Sequence, residues 1–213
     1  MKNKHYFLLL CVVAFSTIFS IFAFTGVDTG ISKIIISYQI GDVAEDFKLK
    51  NLQESMVSLA DFEEAKGFIV IFTCNTCPVS VANEDRIIAL NEKYEDQGYP
   101  VIAINPNNPK VSSGDSYDLM KVRAKEKGFS FPYLFDDGQK VYPKYGASKT
   151  PHVYVLNKES NDLIVRYIGS IDDSARNSGA VKTKFVENAV DALTKGESIE
   201  MASTKAIGCS IKK

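Results

Sequence analysis

Gly67-Phe68-Ile69-Val70-Ile71-Phe72-Thr73-Cys74-Asn75-Thr76-Cys77-Pro78 is the stretch on which the fold turns. Gly67 opens a continuous apolar run, too short for an ordinary helix and rich in β-branched and aromatic side chains. Such a run predicts a central strand at 68–72, covered on both faces. Two cysteines follow it, then a proline that fits the first position of a helix, where its missing N–H costs nothing. Ile87, Ile88, Asn91 and Tyr94 recur beyond it at helical spacing until Gly98, predicting one helix of about five turns. The cysteine pair therefore falls at the carboxyl end of a strand, where α/β folds present reactive groups.

Working outward, residues 44–49 and 56–59 alternate apolar and polar around Asn51-Leu52-Gln53-Glu54, the pattern of two short strands joined by a turn. One helical turn fits 61–65. Downstream, 101–104 is another apolar strand, 105–114 is a loop rich in Pro, Asn, Ser and Gly, and 116–127 is a helix stopped by Gly128. Asp136-Asp137-Gly138 turns the chain, 140–145 suits a short helix, and 152–156 and 163–168 read as paired strands. Val181, Phe185, Val186, Ala189, Val190 and Leu193 mark one face of a last helix, closed by Gly196, and 197–213 is a tail. The alternation predicts an α/β protein with a central mixed β-sheet flanked by helices.

The chain has 213 residues, 25 Lys+Arg against 26 Asp+Glu, with 45% hydrophobic and 24% charged residues, the balance of an ordinary globular protein. No repeat or low-complexity tract interrupts the body, so 40–196 reads as one domain. Residues 6–24 carry no charge and follow Lys2, Lys4 and His5, the layout of an export leader. The run is longer than a usual signal core of about 7–15 residues and approaches the roughly 18 that span a bilayer. Residues 1–24 are therefore a signal peptide or a retained signal anchor. Ile21 and Ala23 offer a cleavage site, and Ser16, Thr17 and Ser20 weaken a permanent anchor, which favours cleavage. Residues 25–39 form a short linker. Both readings deliver the body to the periplasm or another extracytoplasmic face, with membrane attachment through 6–24 if the leader stays. Loss of Lys2 and Lys4 moves the net charge from −1 to about −3 and leaves no basic cluster to meet phosphates, which excludes nucleic-acid binding.

With Cys11 confined to the leader, the body keeps Cys74, Cys77 and Cys209, too few for a disulfide-stapled scaffold. Three is also odd, so at least one thiol is free or exchanging with the others. Two intervening residues let the sulfurs of Cys74 and Cys77 meet in a reversible disulfide. Cys77, at the helix start, is the thiol whose thiolate is favoured. The bland alternatives are an inert bridge or half a zinc site, and no second C-x-x-C or paired histidine completes four metal ligands. Thr150-Pro151 precedes the strand that begins at His152; an X-Pro bond there can be cis and leave backbone groups free to hold an extended substrate chain.

Gly41-Asp42-Val43-Ala44-Glu45-Asp46-Phe47, the run from Val70 to Pro78, Glu84-Asp85-Arg86 and Thr150-Pro151 together resemble the thioredoxin superfamily, in its exported peroxiredoxin-like or redoxin branch. The resemblance implies a thioredoxin-like fold over 40–196 and thiol-disulfide oxidoreductase or antioxidant activity, without a cofactor. It implies Pro151 as a cis-proline beside the redox cysteine, Cys77 as the nucleophile, and Ser80 where thioredoxins carry their second cysteine. The resolving cysteine is then Cys74, one step upstream, or Cys209 in the tail Ile207-Gly208-Cys209-Ser210-Ile211. Proximity favours Cys74, since closing the tail costs entropy. The partners implied are a protein or small-molecule disulfide or thiol, held at Thr150 and Pro151, and a reducing partner. A thiol peroxidase is the close alternative, but the peroxiredoxin pattern Pro-x-x-x-Thr-x-x-Cys is absent in either register, so weak peroxide turnover is expected. A copper-handling protein using Cys74, Cys77 and His152 is the non-enzymatic alternative. Glu84, Asp85 and Arg86 suit an ion-pair cluster or a proton relay to the thiol, and Phe131-Pro132-Tyr133 suits packing or a cleft wall.

Overall fold

A computed structural model describes residues 37–213. The leader expected at 1–24 and most of the linker at 25–39 lie outside the described residues. Among the described residues no helix is long and apolar enough to cross a membrane.

The strands are β1 (Lys48–Asn51), β2 (Met56–Ser58), β3 (Gly67–Phe72), β4 (Val101–Asn105), β5 (Tyr133–Phe135), β6 (Lys149–Thr150), β7 (His152–Glu159), β8 (Asp162–Gly169) and β9 (Cys209–Ser210). Seven of them make one sheet in the order β2-β1-β5-β4-β3-β7-β8. β3 and β4 run parallel, as do β4 and β5, while β7 pairs antiparallel with β3 and β8, so the sheet is mixed as expected. β3 is central because every one of its side chains is apolar or absent. Phe68, Val70 and Phe72 enter one core layer, and Ile69 and Ile71 enter the other. Burying each of these side chains contributes roughly 1.5–3 kcal/mol. Gly67 begins the strand because a Cβ there would stand 2.2 Å from the carbonyl oxygen of Leu156 on β7.

The helices are α1 (Pro78–Val81), α2 (Glu84–Tyr94), α3 (Tyr117–Lys127), α4 (Tyr142–Tyr145) and α5 (Phe185–Lys195). Ile87 and Leu90 of α2, Met120 of α3, and Val186 and Val190 of α5 cover the Ile69 face, whereas Tyr142 and Tyr145 of α4 cover the other. Gly128 and Gly196 end α3 and α5 in the left-handed conformation, as their positions predict.

Two local expectations are corrected, and two short strands are ones that the sequence reading did not assign. The long helix after Pro78 is two helices, broken where the Asn83 N–H bonds the carbonyl of Ser80, three residues back. The Asn83 side-chain amide explains the break, because Nδ2 donates to the carbonyls of Val79 and Ala175, each at 2.7 Å. The turn expected at 61–65 is a 3-10 turn at Leu59–Asp61. Tyr133–Phe135 is a strand seated between β1 and β4, too short to show a period of its own. The tail is folded onto the body: Thr204 N–H donates to the Ile168 carbonyl at 3.0 Å, and β9 then pairs antiparallel with β6. Ile211 is buried in the core, and the Lys212 main chain is clamped by Asn107, Asn108 and Gln139.

Candidate functional site

Thr73 donates its N–H to Ile104 at 2.9 Å, which ties the chain to β4 one residue before Cys74. The Cys74-Asn75-Thr76-Cys77 loop is held from below by Asp115, a fully buried carboxylate. Its Oδ1 accepts the N–H groups of Asn75 (2.8 Å) and Thr76 (3.1 Å). Its Oδ2 accepts from Thr76 Oγ1 (2.7 Å), Ser112 Oγ (2.7 Å) and Asn107 Nδ2 (2.8 Å). These bonds offset the cost of burying the charge. Tyr133 Oη donates to Asn75 Oδ1 at 3.0 Å, and Phe131 and Tyr133 are buried, the packing role of the two expected for this segment. Sequence reasoning missed Asp115. It lies just past a loop rich in Pro, Asn, Ser and Gly, and its partners at 75 and 76 are distant in sequence.

Cys77 caps α1 with an extended backbone, and Pro78 takes the first helical position. The Thr150-Pro151 peptide is cis. The carbonyl oxygen of Thr150 lies 3.1 Å from Cys77 Sγ and accepts the thiol proton when the sulfur is neutral. The main-chain N–H of Cys209 approaches the same sulfur at 3.4 Å. Cys74 Sγ lies 3.2 Å from Thr150 Oγ1 and 4.0 Å from Ser80 Oγ. All three cysteines are free thiols, and Cys74, Cys77 and Val79 form a small cluster against which Ala175 and Cys209 pack. Cys77 is only 2% exposed.

These contacts separate the thiols electrostatically. The thiol of Cys74, hydrogen-bonded to the Cys77 sulfur, is the largest influence and holds Cys77 well below the ordinary thiol range. Burial opposes it, and the Cys209 thiol with the N–H groups of Ser80 and Cys209 reinforces it. The same bond pushes Cys74 far up, helped by burial and by the negative charge of Asp115. Cys209 is raised by burial and then by Cys77. The direction expected for Cys77 is thus found, but its cause differs: α1 is a single short turn, and named donors replace the dipole of a long helix.

The other candidate residues have structural partners. Glu84 makes a bidentate ion pair with Arg123 at 2.8 and 2.6 Å, so its carboxylate is engaged away from any relay to the thiols. Arg86 binds Asp172 at 2.6 Å and the Ser174 carbonyl at 2.8 Å, and exposed Asp85 pairs with Lys127 at 3.3 Å. His152 accepts the Ser148 N–H on Nδ1 at 3.4 Å, its ring centroid 4.9 Å from that of Tyr154, and burial pulls it down to about 4. Among the described residues no group of three or more His, Cys, Asp and Glu is placed to hold a metal ion.

A mixed sheet with a thiol pair leaving its central strand, faced by a cis-proline loop, defines a thioredoxin-like protein. Residues 40–168 match the model of the AhpC/TSA family, and the chain belongs to that family. A thiol-disulfide oxidoreductase ResA of Halalkalibacterium halodurans is 26% identical over 133 residues, 62% of this chain and 70% of that protein. The crystal structure of an uncharacterized conserved protein from Geobacillus kaustophilus aligns with a TM-score of 0.75 at 32% identity, covering 83% of this chain and 93% of that one. The thioredoxin domain of a Bacteroides vulgatus thiol-disulfide oxidoreductase shares the fold, with a TM-score of 0.51 at 19% identity over 62% of this chain and 91% of that one.

Proposed function

We propose that the chain is an exported thiol-disulfide oxidoreductase of the redoxin type, with Cys77 as its nucleophile and Cys74 as its resolving thiol. Membership of the AhpC/TSA family and the curated ResA relative support the oxidoreductase class. The observation that carries the assignment within this chain is the placing of both sulfurs at the residue before the cis-proline, Cys77 Sγ 3.1 Å from the Thr150 carbonyl and Cys74 Sγ 3.2 Å from Thr150 Oγ1, with both thiols free.

In the reductive direction the Cys77 thiolate attacks one sulfur of a client disulfide, and the other client sulfur leaves as thiolate and takes up a proton. Cys74 then loses its proton and attacks Cys77 Sγ, releasing the second client thiol and leaving a Cys74–Cys77 disulfide. Two electrons have passed from the pair to the client, and a dithiol partner restores the pair. Run backwards, the same steps oxidise a client dithiol. Thr150 and Pro151 hold the client chain beside Cys77. Thiol exchange is preferred to peroxide reduction because the peroxiredoxin pattern Pro-x-x-x-Thr-x-x-Cys is absent in either cysteine register. Residues 1–24 would deliver the domain out of the cytoplasm, with 25–39 as its linker.

The test is reduction of a protein disulfide, such as that of insulin, by a dithiol in the presence of the wild type, Cys77→Ser and Cys74→Ser. Loss of turnover in Cys77→Ser, and a trapped mixed disulfide in Cys74→Ser, are the expected results. Undiminished turnover in Cys77→Ser contradicts the assignment.

A further inference from the structure

The thiolate-bearing sulfur of this site is covered, and part of its cover is the chain's own C-terminus. Cys209 and Ser210 pair antiparallel with Thr150 and Lys149, the segment whose backbone the cis-proline leaves available. The pairing puts the Cys209 N–H against the Cys77 sulfur and packs Cys209 on the small cluster that holds that sulfur. Gly208 lies directly on the Thr150 carbonyl: a Cβ at this position would stand 2.1 Å from that oxygen and 2.6 Å from its carbon. Only glycine fits there without lifting the strand. Two residues beyond Cys209, Ile211 is buried in the core and its N–H donates to the Ser148 carbonyl at 3.3 Å, while Lys149 Nζ reaches Ser210 Oγ at 3.0 Å. The segment is therefore an extended strand with a cysteine at the reactive sulfur, a glycine before it and an aliphatic anchor after it.

We propose that Gly208-Cys209-Ser210-Ile211 is a resident stand-in for the client: a protein client reaches Cys77 by displacing this strap and pairing with Lys149–Thr150 in its register. The proposal rests on Cys77 being the exchanging thiol. Its consequence for specificity is that clients are extended segments with glycine immediately before the reactive cysteine and an aliphatic residue two positions after it. A bulkier residue at the glycine position meets the Thr150 carbonyl as a side chain at Gly208 would. Short β pairing of this kind is weak alone and is held by its flanks, Ile211 in the core and the Lys212 main chain on Asn107, Asn108 and Gln139, so the strap can open locally once a flank is loosened while the sheet stays intact.

The experiment uses the full chain, reduced, with iodoacetamide as the probe and alkylation of each cysteine followed by peptide mass. In Gly208→Ala and Ile211→Ala, Cys77 is expected to alkylate roughly tenfold faster or more than in the wild type, as local opening becomes easier. Cys74 stays unlabelled. Circular dichroism checks the fold, and Ile211→Val, a milder change, gives a smaller rise in the same direction. A synthetic peptide copying residues 205–213 with Cys209→Ser then protects Cys77 in the Ile211→Ala protein, and the same peptide carrying Gly208→Ala does not. Cys77 alkylation that is equally fast, or equally slow, in the wild type and the variants overturns the strap. Equal protection by the two peptides overturns the glycine requirement. Failure of the redox reading is scored separately in the same samples, as the absence of any reversible disulfide at Cys77 after oxidation.

Discussion

The main-chain N–H of Cys209 meets the sulfur of Cys77 at 3.4 Å, across 132 positions of sequence, and it does so from β9, the strand paired with the residue that precedes the cis-proline. The Thr150 carbonyl oxygen approaches the same sulfur at 3.1 Å. One neighbour welcomes the thiolate and the other the thiol, so the charge on Cys77 depends on which further donors reach it. The thiol of Cys74 is the strongest of these.

Removing that donor should raise the Cys77 titration midpoint. In Cys74→Ala we expect a rise of about one pH unit or more, read from the ultraviolet absorbance of the thiolate. Cys74→Ser keeps a hydroxyl donor and should shift less. Identical midpoints in the wild type and both variants would show that Cys74 does not control Cys77.

Asp115 is a positioning residue for the cysteine loop. In Asp115→Asn the side-chain amide presents N–H groups where the loop also presents donors, which should cost about 2–4 kcal/mol in urea unfolding. The lost negative charge should also bring the Cys74 midpoint down, since Asp115 is one of the causes that raise it. A variant that is destabilised with an unmoved Cys74 titration would reduce Asp115 to a packing role.

His152 predicts the direction of one acid effect. Burial lowers its folded pKa to about 4 from an ordinary 6.5, so between those values the unfolded chain holds a proton that the folded chain lacks. Stability linked to His152 is complete above pH 6.5 and falls as the pH drops towards 4, by about 3 kcal/mol at most. Urea unfolding across that interval should show a smaller loss for His152→Phe than for the wild type. Equal losses would mean that His152 is protonated in the folded protein.

Arg123 tests whether the Glu84 carboxylate is structural. Arg123→Gln leaves Glu84, whose side chain is 5% exposed, with Lys127 at 3.7 Å as its remaining ion-pair partner. Stability should fall by about 3 kcal/mol while the Cys77 titration stays where it is. A moved Cys77 midpoint would restore Glu84 to the thiol chemistry.

Much of this arrangement was legible in the sequence, and the parts that were not share a physical reason. Phe68 to Phe72 announced a central strand because both faces of β3 are buried, so no polar residue interrupts the run. Gly128 and Gly196 announced helix ends because the left-handed conformation there favours glycine. The cysteine pair was visible because its spacing is local, whereas the cis Thr150-Pro151 bond, which an X-Pro sequence permits but does not require, was expected from the resemblance. By contrast, the break at Asn83 depends on the Ala175 carbonyl, and Asp115 acts through Asn75 and Thr76, far away in the chain. β5 and β9 are too short to have a period and exist because neighbouring strands accept them. The alternation of Cys209 and Ile211 across Ser210 was the one available hint that the tail returns as a strand.

Thiol mapping of the reduced, purified protein after controlled oxidation decides whether the pair beneath Thr150 is a redox couple. Free thiols are alkylated, the protein is digested, and bridged peptides are identified before and after treatment with a mild dithiol. We expect a Cys74–Cys77 bridge that forms on oxidation and opens on reduction, with Cys209 alkylated throughout. Three thiols that stay free through oxidation, or a bridge that the dithiol never opens, would contradict the oxidoreductase mechanism.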